Sequence, residues 1–283
     1  MMKQPVADDF VTEVNKTKTA TTITINKYAG DETTLIVPET LAGLPVSALG
    51  EQSFANSRLA SITLPYGLIT IENKAFSHCT SLSAITIPET LTSIGDWAFA
   101  DCESLHAISL PKHITHIGER AFNNCIRLAA LTLPAGLTST GECLLYGCTG
   151  LTSITLPNSI TRIGLGTFAR CTSLRFATLP NTLISLNQYA FSHCTSLSTI
   201  TIPNRVAAIG DYAFSHCSSL ATIILPEHLV TIGDYAFSHC SQLVAINLPD
   251  ELNHVGPHAF HDCEHLSPTT RAVLRKRFGD DVF

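Results

Sequence analysis

The sequence predicts a repeat solenoid, mainly β, in which each repeat forms one coil and neighbouring coils share a parallel β-sheet. The first observation is a period of 23 residues with the pattern L-x-x-I-x-[IL]-P-x-x-[LV]-x-x-I-G-x-x-A-F-x-x-C-x-x, clearest in residues 197–219 and 220–242. The second is the energy balance of one copy. Burying its apolar side chains yields on the order of 10 kcal/mol, whereas ordering its backbone costs about 1–2 kcal/mol per residue. A single copy therefore does not fold alone, and stability comes from stacking. Nine copies follow one another, beginning at Leu59, Leu82, Leu105, Leu128, Leu151, Leu174, Leu197, Leu220 and Leu243.

Each segment of the copy predicts a local structure. The alternation L-x-x-I-x-[IL] predicts a short strand, which the proline ends because it has no N–H for the ladder. The residues before I-G predict a second extended segment, and the glycine permits a turn. Asp96, Asp211 and Asp234 follow the glycine and are good helix N-caps. A-F-x-x-C is therefore predicted as one or two helical turns with Ala, Phe and Cys facing inward.

The two ends of the chain predict caps for the stack. TTITINKY and TTLIVP around AGDE predict an N-terminal β-hairpin that shields the first sheet edge. Ser267 can cap a helix and Pro268 suits its first position, with basic residues towards its end. The predicted order is a disordered tail (1–18), the hairpin cap with a degenerate first repeat (19–58), nine repeats (59–265) and a C-terminal capping helix (266–283).

Nine of the ten cysteines recur at one repeat position and predict an inward-facing ladder. Adjacent rungs would have parallel Cβ vectors, which fit the disulfide torsion poorly. Zinc requires ligands clustered at shorter spacing. We therefore expect buried, reduced thiols acting as small hydrophobes, which favour a reducing or oxygen-poor setting. Cys143 lies off the ladder and is expected to be partly exposed. The ladder is Cys79, Cys102, Cys125, Cys148, Cys171, Cys194, Cys217, Cys240 and Cys263.

This repeat resembles the BspA-like, or treponemal-type, leucine-rich repeats, from about residue 20 to residue 265. The resemblance implies a right-handed coil with a parallel sheet on one face. It also implies a bacterial or protist protein of the cell surface, or a secreted one, that binds host or bacterial proteins. Cell adhesion and host interaction are thus implied by the resemblance and do not follow from the spacing.

Composition and motifs exclude several other classes. A net charge of −6 provides no basic field for nucleic acid. No apolar run reaches the length of a membrane span. The first residues lack the apolar core of a secretion signal, so we expect a cytoplasmic protein, a chain whose signal has been removed, or export by another route. Phosphate loops, nucleophile elbows and H-E-x-x-H motifs are absent from the sequence, so we expect no enzyme and no cofactor.

Two surfaces are candidate partner-binding sites. On the strand face, Arg175 and Phe176 have the composition of an interface hot spot, with local packing of Phe176 as the alternative. On the turn face, tyrosines and histidines recur in register, which near-copy duplication of repeats also explains. Stacked imidazoles would oppose one another's protonation, so binding there would depend on pH. The turn-face residues are Tyr189, Tyr212, Tyr235, His193, His216 and His239.

The last copy is rich in histidine. His258 and His261 are spaced i,i+3 and could share a metal ion, although the sequence fixes no carboxylate or third ligand beside them. The leading hypothesis is a monomeric, non-enzymatic protein that binds a macromolecule through an extended face. An effector with a metal-dependent activity and a self-associating structural array remain open as alternatives.

Overall fold

The structure is a computed structural model that describes residues 7–283. It confirms the predicted solenoid, built of short strands and turns with a C-terminal α-helix. The chain divides into two compact units, which meet in sequence between Leu137 and Thr138, inside the copy that begins at Leu128. Each unit is a stack of coils.

The first unit contains two rows of strands. After a 3₁₀ helix at Ala7–Asp9, the strands are β1 (Phe10–Lys16), β2 (Thr21–Tyr28), β3 (Thr34–Ile36), β4 (Thr40–Leu41), β5 (Leu44–Leu49), β6 (Ser61–Thr63), β7 (Thr70–Ile71), β8 (Ala84–Thr86), β9 (Ser93–Ile94) and β10 (His116–Ile117). The hairpin and the segments before the glycine form one row, with the order β1-β2-β5-β7-β9-β10 and with β4 paired to β5. The other row has the order β3-β6-β8 and consists of the first strands of successive coils.

The second unit has the same two kinds of row. The elements are β11 (Ser153–Thr155), β12 (Arg162–Ile163), β13 (Phe176–Thr178), β14 (Ser185–Leu186), β15 (Thr199–Thr201), β16 (Ala208–Ile209), β17 (Thr222–Ile224), β18 (Thr231–Ile232), β19 (Ala245–Ile246), β20 (His254–Val255) and α1 (Pro268–Phe278). The first strands have the orders β11-β13 and β15-β17-β19, and the segments before the glycine have the order β12-β14-β16-β18-β20.

Equivalent residues of neighbouring copies lie side by side, and this register builds the core. Ile200 of β15 pairs with Ile223 of β17, one repeat later. In the turn segments, the buried rings of Phe191, Phe214 and Phe237 stack with centroids 5.4 Å apart. Aromatic pairs at this separation add stabilisation beyond the area that they bury.

The A-F-x-x-C segments form turns, and the prediction of helical turns is wrong. Tyr212 and His216 adopt the left-handed conformation, with φ of 55° and 60°. A helix cannot include such residues. The alternate amides of Tyr212, Phe214 and His216 instead donate to the next copy, at 2.9, 2.8 and 2.8 Å. Hydrogen bonds between coils thus replace those of a helix.

The aspartates after the glycine do not cap helices either. Asp96 Oδ1 accepts the amide of Glu119 at 2.8 Å, and Asp211 Oδ1 accepts the amide of Asp234 at 3.0 Å. Each donor lies in the following copy. These carboxylates therefore join consecutive coils.

The N-terminus differs from its prediction in two ways. Residues 10–16, expected in a disordered tail, form β1, while residues 1–6 of that tail lie outside the described part of the chain. The hairpin consists of β1 and β2, paired antiparallel, whereas β3 joins the other sheet through β6. The sequence VTEVNK is polar enough to suggest a tail, but β1 covers the edge that β2 would otherwise expose.

All ten cysteines are buried thiols. The Sγ of Cys217 donates to the carbonyl of Phe191 in the preceding copy, at 3.1 Å, and other ladder cysteines repeat this contact. Burial raises the pKa of the Cys217 thiol to about 12. Cys143 was expected to be partly exposed, but only 6% of its surface is accessible.

The C-terminal cap combines a helix with a short tail. Ser267 Oγ accepts the amide of Thr270 at 3.1 Å, which caps α1 at the predicted position. After the helix, the carbonyl of Val282 accepts the amide of Phe260 at 2.7 Å, in the place of a further coil. In the described residues 7–283, no helix has the length and hydropathy needed to cross a membrane.

Candidate functional site

A groove of about 640 Å³ lies on the turn face of the second unit. Tyrosines form one wall, histidines form the other, and small residues form the floor between them. The floor comprises Ser192, Ser215 and Ser238, which are at most 3% exposed. The walls are Tyr189, Tyr212 and Tyr235 on one side and His193, His216 and His239 on the other. The structure thus brings all six predicted turn-face residues to one site.

The backbone of the turn explains how these walls arise. The tyrosines and histidines are the two left-handed residues of each turn, at φ values between 54° and 60°. The residue before each histidine faces inward and is a buried serine. At one end of the groove, Gly166 and Ala169 occupy the tyrosine and serine positions, so the groove continues past the last tyrosine ring. Arg170 and Tyr146 lie at that end.

Each wall is a continuous stack of rings. Tyr212 lies 4.9 Å from both Tyr189 and Tyr235, centroid to centroid, with interplanar angles of 5°. The imidazole of His216 lies 4.3 Å from that of His193 and 4.2 Å from that of His239. The rings hold one another in place, so a ligand meets a largely preorganised surface.

The surroundings of His193, His216 and Tyr212 favour the neutral form of each ring. Burial, followed by the charges of Arg170 and His239, lowers the pKa of His193. Burial and the two flanking imidazoles likewise lower the pKa of His216. On the other wall, burial and the neighbouring tyrosines raise the pKa of Tyr212. In their neutral forms these three rings can stack and exchange hydrogen bonds with a ligand.

The structure separates the second predicted surface from this groove. Arg175 precedes β13, and Phe176 lies on that strand with 58% of its surface exposed. Phe176 borders a shallow depression of about 280 Å³ formed with Thr199 and Pro203. The strand face and the turn face are therefore two independent candidates.

The predicted metal pair is only partly brought together. His258 and His261 have their ring centroids 5.7 Å apart at 79°, but His258 Nδ1 faces the carbonyl of Phe283 at 3.4 Å. His261 instead meets His239 and Asp262, and the possible ligand atoms of these three residues all lie within 4.8 Å of one another. Sequence reasoning missed Asp262 and the serine floor. The repeat pattern contained the signal for both. Asp262 directly follows His261, and each serine of the floor directly precedes a histidine of the wall.

Comparison with known proteins agrees with the architecture. The sequence matches the BspA type leucine rich repeat region, a family defined by six copies, over residues 47–175 and 138–267. No curated protein matches the chain. A leucine-rich repeat protein from Bacteroides ovatus is similar in structure, with 22% identity, 99% of each chain covered and a TM-score of 0.58. A leucine rich cell surface protein from Faecalibacterium prausnitzii has 23% identity and a TM-score of 0.50, covering 95% of this chain and 98% of that one. The repeats, the register and the family match together show that this chain belongs to the BspA type leucine-rich repeat family.

Proposed function

We propose that this protein is a non-enzymatic binding module that holds a segment of another protein in the tyrosine–histidine groove. The observation that carries the proposal is the stack of Tyr189, Tyr212 and Tyr235 facing the stack of His193, His216 and His239 across a buried serine floor. Aromatic side chains of this kind dominate protein interfaces because they bury a large area and keep a polar group at the rim.

The dimensions of the groove favour an extended segment as ligand. Successive tyrosine rings are 4.9 Å apart, and an extended chain advances about 3.3 Å per residue. Three rings therefore match about three or four ligand residues. The rings are already stacked, so binding immobilises few additional rotamers.

The charges of the protein also favour a protein ligand. The net charge of −6 would repel nucleic acid and anionic membrane surfaces. Near the groove, Arg170 supplies a cation at one end. A ligand segment with apolar or aromatic residues along its middle and an acidic residue at one end fits this arrangement.

The setting of this interaction is part of the proposal. One structural relative is described as a cell surface protein, and the family resemblance implies proteins that bind host or bacterial partners. We infer adhesion or host interaction at a cell surface, with the protein acting as a monomer. Light scattering at high concentration tests the monomer directly, since a self-associating array would give a mass that rises with concentration.

The binding proposal is tested by selecting displayed random peptides on the immobilised full-length protein and measuring their affinity by fluorescence anisotropy. Replacing Tyr189, Tyr212 and Tyr235 together with Asn should weaken the selected peptides by about tenfold or more, because truncating interface aromatics costs at least 1–2 kcal/mol. Asn tolerates the left-handed conformation, so the substitution removes rings without straining the turns.

The matched control is Phe176→Ala on the strand face, which should leave the affinity of these peptides unchanged. If the tyrosine variant binds as well as the wild type, the groove is not the binding site. Loss of binding in Phe176→Ala alone would assign the function to the strand face instead.

A further inference from the structure

We infer that His239, His261 and Asp262 form a zinc site at the end of the groove, a site that does not depend on the proposed partner. His239 Nδ1 lies 3.2 Å from Asp262 Oδ2, and His261 Nε2 lies 3.5 Å from the same oxygen. Two imidazole nitrogens and one carboxylate oxygen are a ligand set that Zn²⁺ uses with a fourth position open.

The spacing of the donor atoms fits tetrahedral coordination. Zinc–nitrogen and zinc–oxygen bonds of about 2.0–2.2 Å place neighbouring ligand atoms about 3.3–3.6 Å apart. Of the two distances to Asp262 Oδ2, 3.5 Å lies within this range and 3.2 Å lies just below it. The nitrogens of the two imidazoles lie within 4.8 Å of each other, so this third edge is the one that zinc binding would shorten.

The repeat register explains why these three residues meet. Asp262 occupies the histidine position of the last copy, so it is the next rung after His239. His261 occupies the serine position, directly before Asp262. The amide of His239 donates to the carbonyl of His261 at 2.7 Å, which fixes the two backbones. A zinc ion here would tie the last two copies together.

The first unit contains a natural comparison that lacks one ligand. His78 Nδ1 and Asp101 Oδ2 lie 3.5 Å apart in the same two positions of successive copies. The serine position before Asp101 holds Ala100, which has no donor atom. Within residues 7–283, a histidine–aspartate rung therefore occurs twice, and only the one with His261 offers three ligands.

The cluster is also accessible to a metal ion. The side chains of His239, His261 and Asp262 are 40%, 45% and 52% exposed. Imidazole and carboxylate at this count suit Zn²⁺ better than Ca²⁺ or Mg²⁺, which prefer oxygen ligands. His239 and His261 also line the groove, so the metal site borders the proposed ligand-binding surface.

The test is calorimetric titration of the metal-free, full-length protein with ZnCl₂ at neutral pH under reducing conditions. One zinc per chain is expected. His261→Ser and Asp262→Asn should each weaken binding about tenfold or more, while His78→Asn should leave it unchanged. Ser and Asn occur at these positions in other copies, as Ser238 and Asn124, so the variants preserve the fold.

A second measurement distinguishes metal binding at this site from metal binding by the cysteine thiolates. The Co²⁺-substituted protein should lack the strong near-ultraviolet charge-transfer band of a cobalt–thiolate bond. A strong thiolate band would place the metal on cysteines and overturn the inference. Absence of zinc binding by the wild type, or undiminished binding by both His261→Ser and Asp262→Asn, would also overturn it.

Discussion

Gly233 lies against the carboxylate of Asp211, so that a Cβ at residue 233 would fall within 3.0 Å of Asp211 Oδ1. The same oxygen accepts the amide of Asp234 at 3.0 Å. Gly118, Gly233 and Gly256 are therefore required by the close approach of an aspartate from the preceding copy, whose carboxylate and backbone nitrogen both lie within 3.0 Å of the position that a Cβ would occupy.

Gly233→Ala should destabilise the protein by about 1–3 kcal/mol, because the added methyl group would overlap the backbone nitrogen of Asp211 and the carbonyl carbon of Gly210 as well as the Asp211 carboxylate. Urea unfolding measures the effect as a lower midpoint. Gly67→Ala is the control, since a Cβ there meets only the carbonyl of Val46 at an ordinary 3.5 Å. Equal losses in both variants would contradict the role of the close contact.

Thr140 and Thr167 form a buried polar pair where most other copies have Ile and Ala. Their hydroxyl oxygens lie 2.9 Å apart, and Thr140 Oγ1 accepts the amide of Gly164 at 2.9 Å. Thr140→Val should cost about 1–3 kcal/mol, because it leaves a buried hydroxyl and an amide without this partner. Thr140→Ile with Thr167→Ala should recover part of that loss. If the double variant loses as much stability as Thr140→Ile and Thr167→Ala lose together when measured separately, the two threonines are not coupled.

The stability of the fold should fall in acid partly through His193. Its pKa is lowered in the folded state by burial and by the charge of Arg170, with His216 stacked upon it. The unfolded chain therefore binds a proton first as the pH falls below about 6.5, and stability decreases until the folded pKa is passed. Urea unfolding between pH 8 and pH 5 should show a smaller decrease for His193→Asn than for the wild type. Identical slopes would mean that His193 does not contribute.

The buried thiols should react slowly with alkylating reagents in the native state. Burial raises the pKa of Cys171 and of Cys217 to about 12, so little thiolate forms at neutral pH. Cys143 borders the groove and should react first. Mass spectrometry after a short iodoacetamide pulse should find at most one modified cysteine, removed by Cys143→Ser, whereas urea should expose all ten. Rapid modification of the ladder in the folded protein would contradict this.

The sequence predicted the parts of the fold that repetition determines. Strict spacing of Leu, Ile, Phe and Cys sets the register, and Ser267 and Pro268 mark the start of the capping helix. The sequence did not predict the turn conformation, because Tyr212 and His216 adopt a backbone geometry that their residue types disfavour. That geometry is compensated by hydrogen bonds to the next copy, which no local pattern reveals.

The candidate site was predicted as residues but not as a shape. The repetition of tyrosine and histidine was visible in the sequence. The groove itself arises because the tyrosine and the histidine of each turn are both left-handed, while the small buried residue directly before the histidine forms the floor. Asp262 was missed as a metal ligand because its partner His239 is one repeat away in sequence and adjacent only in the stack.

An added repeat would place its tyrosine and its histidine in register with those of the neighbouring repeats. The length of the groove can therefore change by whole repeats. A tandem duplication of the 69 bases that encode residues 197–219 would insert one more phenol and one more imidazole without altering the caps. Evolution could thus extend or shorten the recognised segment by a residue or two at a time, and the same operation is open to protein engineering.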